Sequence, residues 1–488
     1  MTGPIKRIVI AGDGLAAWTA AGVLARRLPG VVVAIAPTAC RPSVDDIYAT
    51  VPPDRARIHD AIGIDDRDLI NLAQGVFRLG IRFGSWGVEG FSFSVGLGGL
   101  GGPIGGSTFD QLWIREWHRR GQTLHDTDWP PIEAWSPAAM LSVQNRFAPP
   151  SDDPHHPYGE LAVSLALDPP SYRALLRVAA ARSGVRTTAP LSAVVLTGER
   201  ITCLRLVDGT ALEADLFVDA SGPDACMLSS LPGGDKREDW SCWLAADRVA
   251  LEQIDADPLL PPLDAAIADA SGWTLVSPLA ESTVAARLYR SEDAQHAARS
   301  HHQALAQGRR ERAWIGNCVA IGDAAVEIEP LLMRHLALVH AAIRRIIALL
   351  PGVDCAPVET AQYNRDWREE ADHLRDWTVI ARAVGGRTGD GWLMPAELPE
   401  SAAAILQLWR EKGVLSARDR EPWGREQSVQ LLLGAGSMPA EPSALAQGVP
   451  EQNFRHVAER RRQMIIAAVA AAPTHADVIA RLRGRGRG

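Results

Sequence analysis

A short strand that runs directly into Gly12-Asp13-Gly14 restricts this chain more than any other feature. Ile5 to Ala11 is a β-branched run of the kind that forms a buried strand. After the glycines, the alanine-rich stretch Thr19 to Leu28 has no proline and reads as a helix. Val31 to Ile35 is a second apolar strand. Strand, glycine turn, helix and strand make the dinucleotide-binding unit. Gly12 permits the tight turn, Gly14 lets the backbone approach a pyrophosphate, and the first N–H groups of the helix, at Leu15, Ala16 and Ala17, face the phosphates. Ala17 stands where the third glycine usually is. The acid that normally ends the second strand and holds the ribose is missing, because Ala36-Pro37 stands there. Asp45 and Asp46 come late for that role.

With 488 residues the chain can bury a large core and build two or three structural units. A net charge of −8 gives no general case for nucleic-acid binding. The one basic run, Arg481 to Gly488, reads as a solvated end. Six scattered cysteines have neither metal-knuckle nor disulfide spacing. The first strand begins almost at once, and the longest apolar stretch, Leu336 to Leu350, is interrupted by Arg344 and Arg345. A cytoplasmic protein without a membrane span is expected.

Along the chain, Asp46 to Pro53 reads as a loop and Ile58 to Leu72 as one helix. Val76 to Phe83 alternates as a single strand should, and Gly96 to Gly106 is a glycine-rich loop. Val194 to Leu196, Ile201 to Val207 and Leu212 to Val218 read as a three-stranded meander. Glu359 to Val384 and Glu400 to Lys412 are the clearest helices of the last third. Two later stretches complete the nucleotide unit. Asp215 to Gly222 is a buried strand ending in small residues around Asp219. Asn317 to Ala325 is a strand that ends in Gly322-Asp323 and should enter a helix, placing an acid beside a ribityl chain. Three such stretches in this order indicate FAD.

The chain resembles the flavin-dependent tryptophan halogenase family over nearly its whole length. The resemblance rests on Gly12 to Trp18, Ala49-Thr50-Val51-Pro52, Leu79-Gly80-Ile81-Arg82-Phe83 with Trp86, and Asp219 to Gly222. It continues through Gly272-Trp273, Gly316 to Gly322, Glu329-Pro330-Leu331, Tyr363-Asn364-Arg365, Arg375-Asp376-Trp377 and Leu431 to Gly434. The resemblance implies an α/β fold: a Rossmann-like FAD-binding domain of the flavin monooxygenase, hydroxylase-like type, with a substrate-binding unit and a helical C-terminal region. On this reading residues 1–350 form the FAD module, interleaved with substrate segments at about 84–160 and 240–305, and residues 351–488 complete the substrate side. The implied cofactor-binding set is Gly12, Gly14, Leu15, Ala16, Ala17, Ala49, Thr50, Asp219, Gly222, Gly322, Asp323 and Leu331. The implied partners are a small aromatic substrate and a separate flavin reductase that supplies reduced FAD. Neither nucleic acid nor membrane is implied, and a homodimer stays open. No second nucleotide fingerprint supports direct NAD(P)H binding.

The halogenating residues depart from the family pattern. Arg78 stands where the resemblance places the active-site lysine. Lysine can lose its proton when desolvated, whereas guanidinium stays charged. Leu332 stands in place of the glutamate that follows Glu-Pro-Leu, and Met333, Arg334 and His335 replace the small hydroxyl residues after it. The family's paired tryptophans are reduced to Trp273, with Leu275 and Ser277 at the next two motif positions. Gly322-Asp323 is closer to ordinary flavin hydroxylases. Arg78, the one catalytic candidate, is either a structural ion pair or a clamp on an acidic substrate. Arg334 and His335 are either an anion site or a helix-face pair, and Trp86 and Trp273 either stack an aromatic substrate or pack the core. Three readings of function follow. The first is an FAD-dependent oxidoreductase acting on an aromatic or indolic substrate, the second a divergent halogenase, and the third a non-catalytic flavin-binding protein.

Overall fold

Val9 and Ile10 in β1 (Arg7–Ala11) are flanked on both sides by parallel strands, which explains the run of apolar residues without polar alternation. The structure, a computed structural model, describes residues 3–41, 43–86, 91–121, 129–293, 301–385, 395, 397–415 and 424–484. The last four residues of the basic tail therefore lie outside the described residues. The chain divides into two units. The first comprises Met1–Gly75, Ala166–Cys242 and Gln303–His373, and the second comprises Val76–Leu165, Trp243–His302 and Leu374–Gly488.

The first unit is built on a six-stranded sheet. Its centre is β1, paired in parallel with β2 (Val32–Ala36) on one side and β3 (Leu216–Asp219) on the other. Beyond β3 lies β4 (Cys318–Ala320), also parallel, and then Trp314–Ile315, antiparallel. Arg186–Thr187 closes the far edge beside β2. Helix α1 (Leu15–Arg27) crosses from β1 to β2. Leu15 to Leu24 are all buried, as an alanine-rich helix packed on both sides requires, and Arg26 and Arg27 complement the dipole in its last turn.

The second unit carries a mixed sheet. Six of its seven strands run in the order Arg248–Ile254, Thr283–Tyr289, Gly272–Pro278, Asp264–Asp269, Gly80–Gly84 and Ser92–Gly96. All pairings along that run are antiparallel except Asp264–Asp269 with Gly80–Gly84. Helices Phe109–Arg120, Pro137–Val143, Arg425–Gly434 and Glu451–Ala471 belong to the same unit.

Several expected elements differ. The single helix over 58–72 is two, Ala56–Ile62 and Asp66–Leu72. Gly63, at φ 70°, ends the first in the left-handed region, and Asp65 caps the second by accepting the Asp68 N–H at 2.8 Å. The strand over 76–83 is two, Val76–Arg78 and Gly80–Gly84. The meander keeps Leu191–Thr197, Arg200–Leu206 and Ala211–Leu212, but Leu216–Asp219 leaves it for the parallel sheet. The loop over 46–53 starts on the last residue of a 3₁₀ turn, Val44–Asp46, and contains a buried strand, Ala49–Val51. After Gly322-Asp323 the chain makes a 3₁₀ turn, Gly322–Ala324, and a strand, Val326–Glu327, so no α-helix begins there. The next helix is His335–Ala348. Among the described residues no helix is long and apolar enough to cross a membrane.

Candidate functional site

The C-terminal ends of three neighbouring parallel strands bring the three flagged stretches together. Ala220 N–H donates to Ala11 O at 2.9 Å, and Ile321 N–H donates to Asp219 O at 2.9 Å. Gly12-Asp13-Gly14 thus emerges beside Asp219 to Gly222 and Gly322-Asp323. The carboxyl ends of strands in an open α/β sheet are where such folds bind ligands.

The glycines are required by close approach. Gly12 has φ 134°, donates to Ala36 O at 3.0 Å, and a Cβ there would run into Ala220 O. Gly222 has φ 85°, and a Cβ on it would meet Arg41 O at 2.6 Å. Gly14 is the N-cap of α1 in extended geometry, with no side-chain cap. Ala16 and Ala17 are buried beneath the turn, and the Ala17 methyl lies 3.1 Å from a Cβ built on Gly12.

Asp219 is committed to its own turn. Its carboxylate accepts from Ser221 N (3.1 Å), Ser221 Oγ (2.6 Å), Met227 N (2.8 Å) and Leu228 N (2.8 Å). Burial pushes its carboxyl up from the ordinary range against these four bonds, which favour the charged form. Asp219 therefore shapes the 219–228 turn. Asp323 is buried, and its Oδ2 accepts from Ser43 Oγ and Val44 N, both at 2.7 Å.

Sequence reasoning missed the segment that donates to Asp323. Arg41 reaches Glu327 with both terminal nitrogens, at 3.1 and 3.3 Å. Burial, with Asp323 second, pushes the Glu327 carboxyl up to about 7, while Arg41 and Arg237 hold it down. Asp46 Oδ1 accepts the Leu15 N–H, the first donor of α1, at 2.9 Å. Its carboxylate therefore sits at the start of the helix. The one signal in the sequence was an acid on the loop that follows β2.

The remaining candidates of the first unit are buried or partly buried. Ala49 is buried, and Thr50 Oγ1 donates to Tyr48 Oη at 2.7 Å. Leu331 and Leu332 are buried in the 3₁₀ turn Pro330–Leu332. His335 is buried, with Nε2 2.7 Å from Ile328 O. Arg334 is the partly buried N-cap residue of helix His335–Ala348.

In the second unit Arg78 has no accessible surface. Its Nε donates to Asp264 Oδ1 at 2.7 Å, and Asp264 is equally buried. Its terminal nitrogens donate to Phe77 O (3.2 Å), Ser277 Oγ (3.3 Å) and Pro278 O. This is the geometry of an ion pair that ties Val76–Arg78 to the sheet. Trp86 and Trp273 are also fully buried, edge to face at 5.9 Å, and Trp86 Nε1 donates to Ala381 O at 2.6 Å. Both are core residues and present no face to a ligand. A cavity of about 170 Å³ in this unit is lined instead by Ile104, Phe109, Arg461 and Met464, among others.

The turn and the strand ends have the form of a dinucleotide-binding unit, and the Ser43–Asp46 segment reaches both the start of α1 and Asp323. Comparison with known proteins agrees with the frame. The tryptophan halogenase family model matches residues 7–451. Tryptophan 7-halogenase RebH of Lentzea aerocolonigenes is 24% identical over 95% of this chain and 97% of its own length. Two solved structures are each 25% identical to the chain. The flavin-dependent halogenase BrvH of Brevundimonas sp. BAL3 superposes with a TM-score of 0.89, covering 98% of this chain and 99% of that one. The flavin-dependent halogenase Xcc4156 of Xanthomonas campestris superposes with 0.88, covering 98% of each. The chain belongs to the tryptophan halogenase family and is a flavin-dependent, halogenase-like oxidoreductase.

Proposed function

We propose that the chain uses reduced FAD, supplied by a separate flavin reductase in the cytoplasm, and O₂ to oxidise an aromatic or indolic substrate, and that it does not halogenate tryptophan at a useful rate. The observation that carries this reading is the buried Arg78–Asp264 pair at the position where the family resemblance expects a lysine. A guanidinium held this way stays charged, cannot act as a general base and is a poor nucleophile. Leu332, buried and apolar, has no proton to give where the resemblance expects a glutamate.

On this reading the Gly12 to Ala17 turn holds the pyrophosphate, and Gly322 and Asp323 hold the ribityl chain. Ala49, Thr50 and Leu331 flank the ring side. Bound reduced FAD supplies the electrons for oxygen activation. Asp219 and Gly222 act as positioning residues that keep the turn against Arg41.

Free tryptophan, chloride or bromide, and reductase-supplied FAD test the proposal. Loss of a proton-transfer group should leave halogenation at least about a hundredfold below that of a halogenase relative in the same assay. Rapid chlorination or bromination would favour the divergent-halogenase reading, to which the family's members lend support.

A further inference from the structure

Helix α1 is met at its start by a carboxylate of its own chain. Asp46 Oδ1 accepts the Leu15 N–H at 2.9 Å, and Asp46 Oδ2 lies 2.5 Å from the point where a Gly14 Cβ would stand. That space is the approach which glycine leaves for a pyrophosphate in this fold. The same short segment reaches a second anchor. Ser43 Oγ and Val44 N–H donate to Asp323 Oδ2 at 2.7 Å each, so the acid suited to a ribityl hydroxyl already has donors. Residues 43–46 include the one 3₁₀ turn Val44–Asp46, and they take up both positions.

Among the described residues Asp46 has no ion-pair partner. Burial pushes its carboxyl above the ordinary range, and Asp323 adds to that. The Leu15 N–H and, from helix Pro169–Arg182, Arg173 act in the other direction. The first of these is the donor that a phosphate would use, and a backbone hydrogen bond at Ser43 acts with it.

We propose that Asp46 is an internal competitor for the cofactor. FAD binds only when the Ser43–Asp46 segment withdraws from the start of α1 and from Asp323, and Asp46 thereby sets FAD affinity. The inference rests on the FAD reading above. A cofactor delivered by another protein must exchange, and a built-in competitor keeps its release fast.

The test is titration of the full-length apoprotein and of Asp46→Asn and Asp46→Ala with FAD, ADP and riboflavin. Flavin fluorescence and calorimetry give the affinities. Like charges at one anion site are strongly unfavourable, so both variants should bind FAD and ADP about tenfold or more tightly than the native chain. Riboflavin, which has no phosphate, should gain far less. FAD binding by the variants but not by the native chain would support the inference outright. Equal or weaker FAD binding by folded variants would overturn it and leave the FAD reading intact. No FAD binding by any of the three would overturn both. A readout on the native chain stands beside these: hydrogen exchange over residues 43–46 should speed up when FAD is added, and unchanged or greater protection would overturn the inference.

Discussion

Replacing Arg78 by Met removes one half of an ion pair in which both side chains have no accessible surface. Asp264 then keeps a buried charge without its guanidinium, and Pro278 O and Ser277 Oγ lose a donor. Breaking a buried pair from one side costs about 3–5 kcal/mol. For a unit of this size that is a fall in Tm of about 6–10 °C. Arg78→Lys keeps the charge but cannot reach all the acceptors, and should lose less. Arg78→Met combined with Asp264→Leu should regain part of the loss, because the stranded charge is gone. Urea unfolding followed by tryptophan fluorescence reads all four proteins, with FAD titration as the control. FAD affinity should be unchanged in folded variants, since the phosphate turn lies elsewhere in the chain. An Arg78→Met protein within about 0.5 kcal/mol of the native chain, with poor coupling of reduced flavin to product, would refute the structural role and restore the clamp.

Gly14→Val should abolish FAD binding while the protein still folds, because its side chain fills the space beside Asp46; calorimetry checks this. Gly12→Ala should instead destabilise the fold, since its Cβ meets the backbone of Ala220, and a thermal melt would show it. His475 is buried, with Nδ1 2.7 Å from Leu260 O, and burial holds its pKa down to about 3. The unfolded chain takes up that proton near pH 6.5, so the contribution of the neutral ring is whole above that pH and is lost as pH falls toward 3, at about 1.4 kcal/mol per unit. Glu327 titrates in the opposite sense, so the measurement is the difference between the native chain and His475→Gln. The advantage of the native chain should shrink by about 2 kcal/mol between pH 6.5 and 5, and a constant difference would contradict it.

The elements with strong local signals were legible. Residues 31–35 were expected as a strand and Val32–Ala36 is one; Glu400 to Lys412 was expected as a helix and is one, residue for residue. Such runs carry their own propensity and pattern. Arg78 was not legible, since its carboxylate is 186 positions away and nothing near Arg78 announces it. Trp86 and Trp273 were ambiguous for the same reason: a tryptophan that stacks a ligand and one that fills a core look alike in sequence. Leu212 to Val218 read as the end of a hairpin chain and Asp215 to Gly222 as a strand of the nucleotide unit; the second reading holds, since a buried apolar strand gains more between two parallel neighbours than at a meander edge. Asp46 was set aside on spacing, and only the fold shows that the loop after β2 returns to the start of α1.

The central claim is that oxygen activation survives in this chain and halogen transfer does not. The direct measurement is mass spectrometry of products from a panel of indolic and aromatic substrates incubated with the protein, FAD, a flavin reductase, O₂ and bromide. The account predicts at least one product that gains oxygen or loses hydrogen and has no bromine isotope pair. Brominated products at rates typical of the family, without an oxidised product, would contradict it.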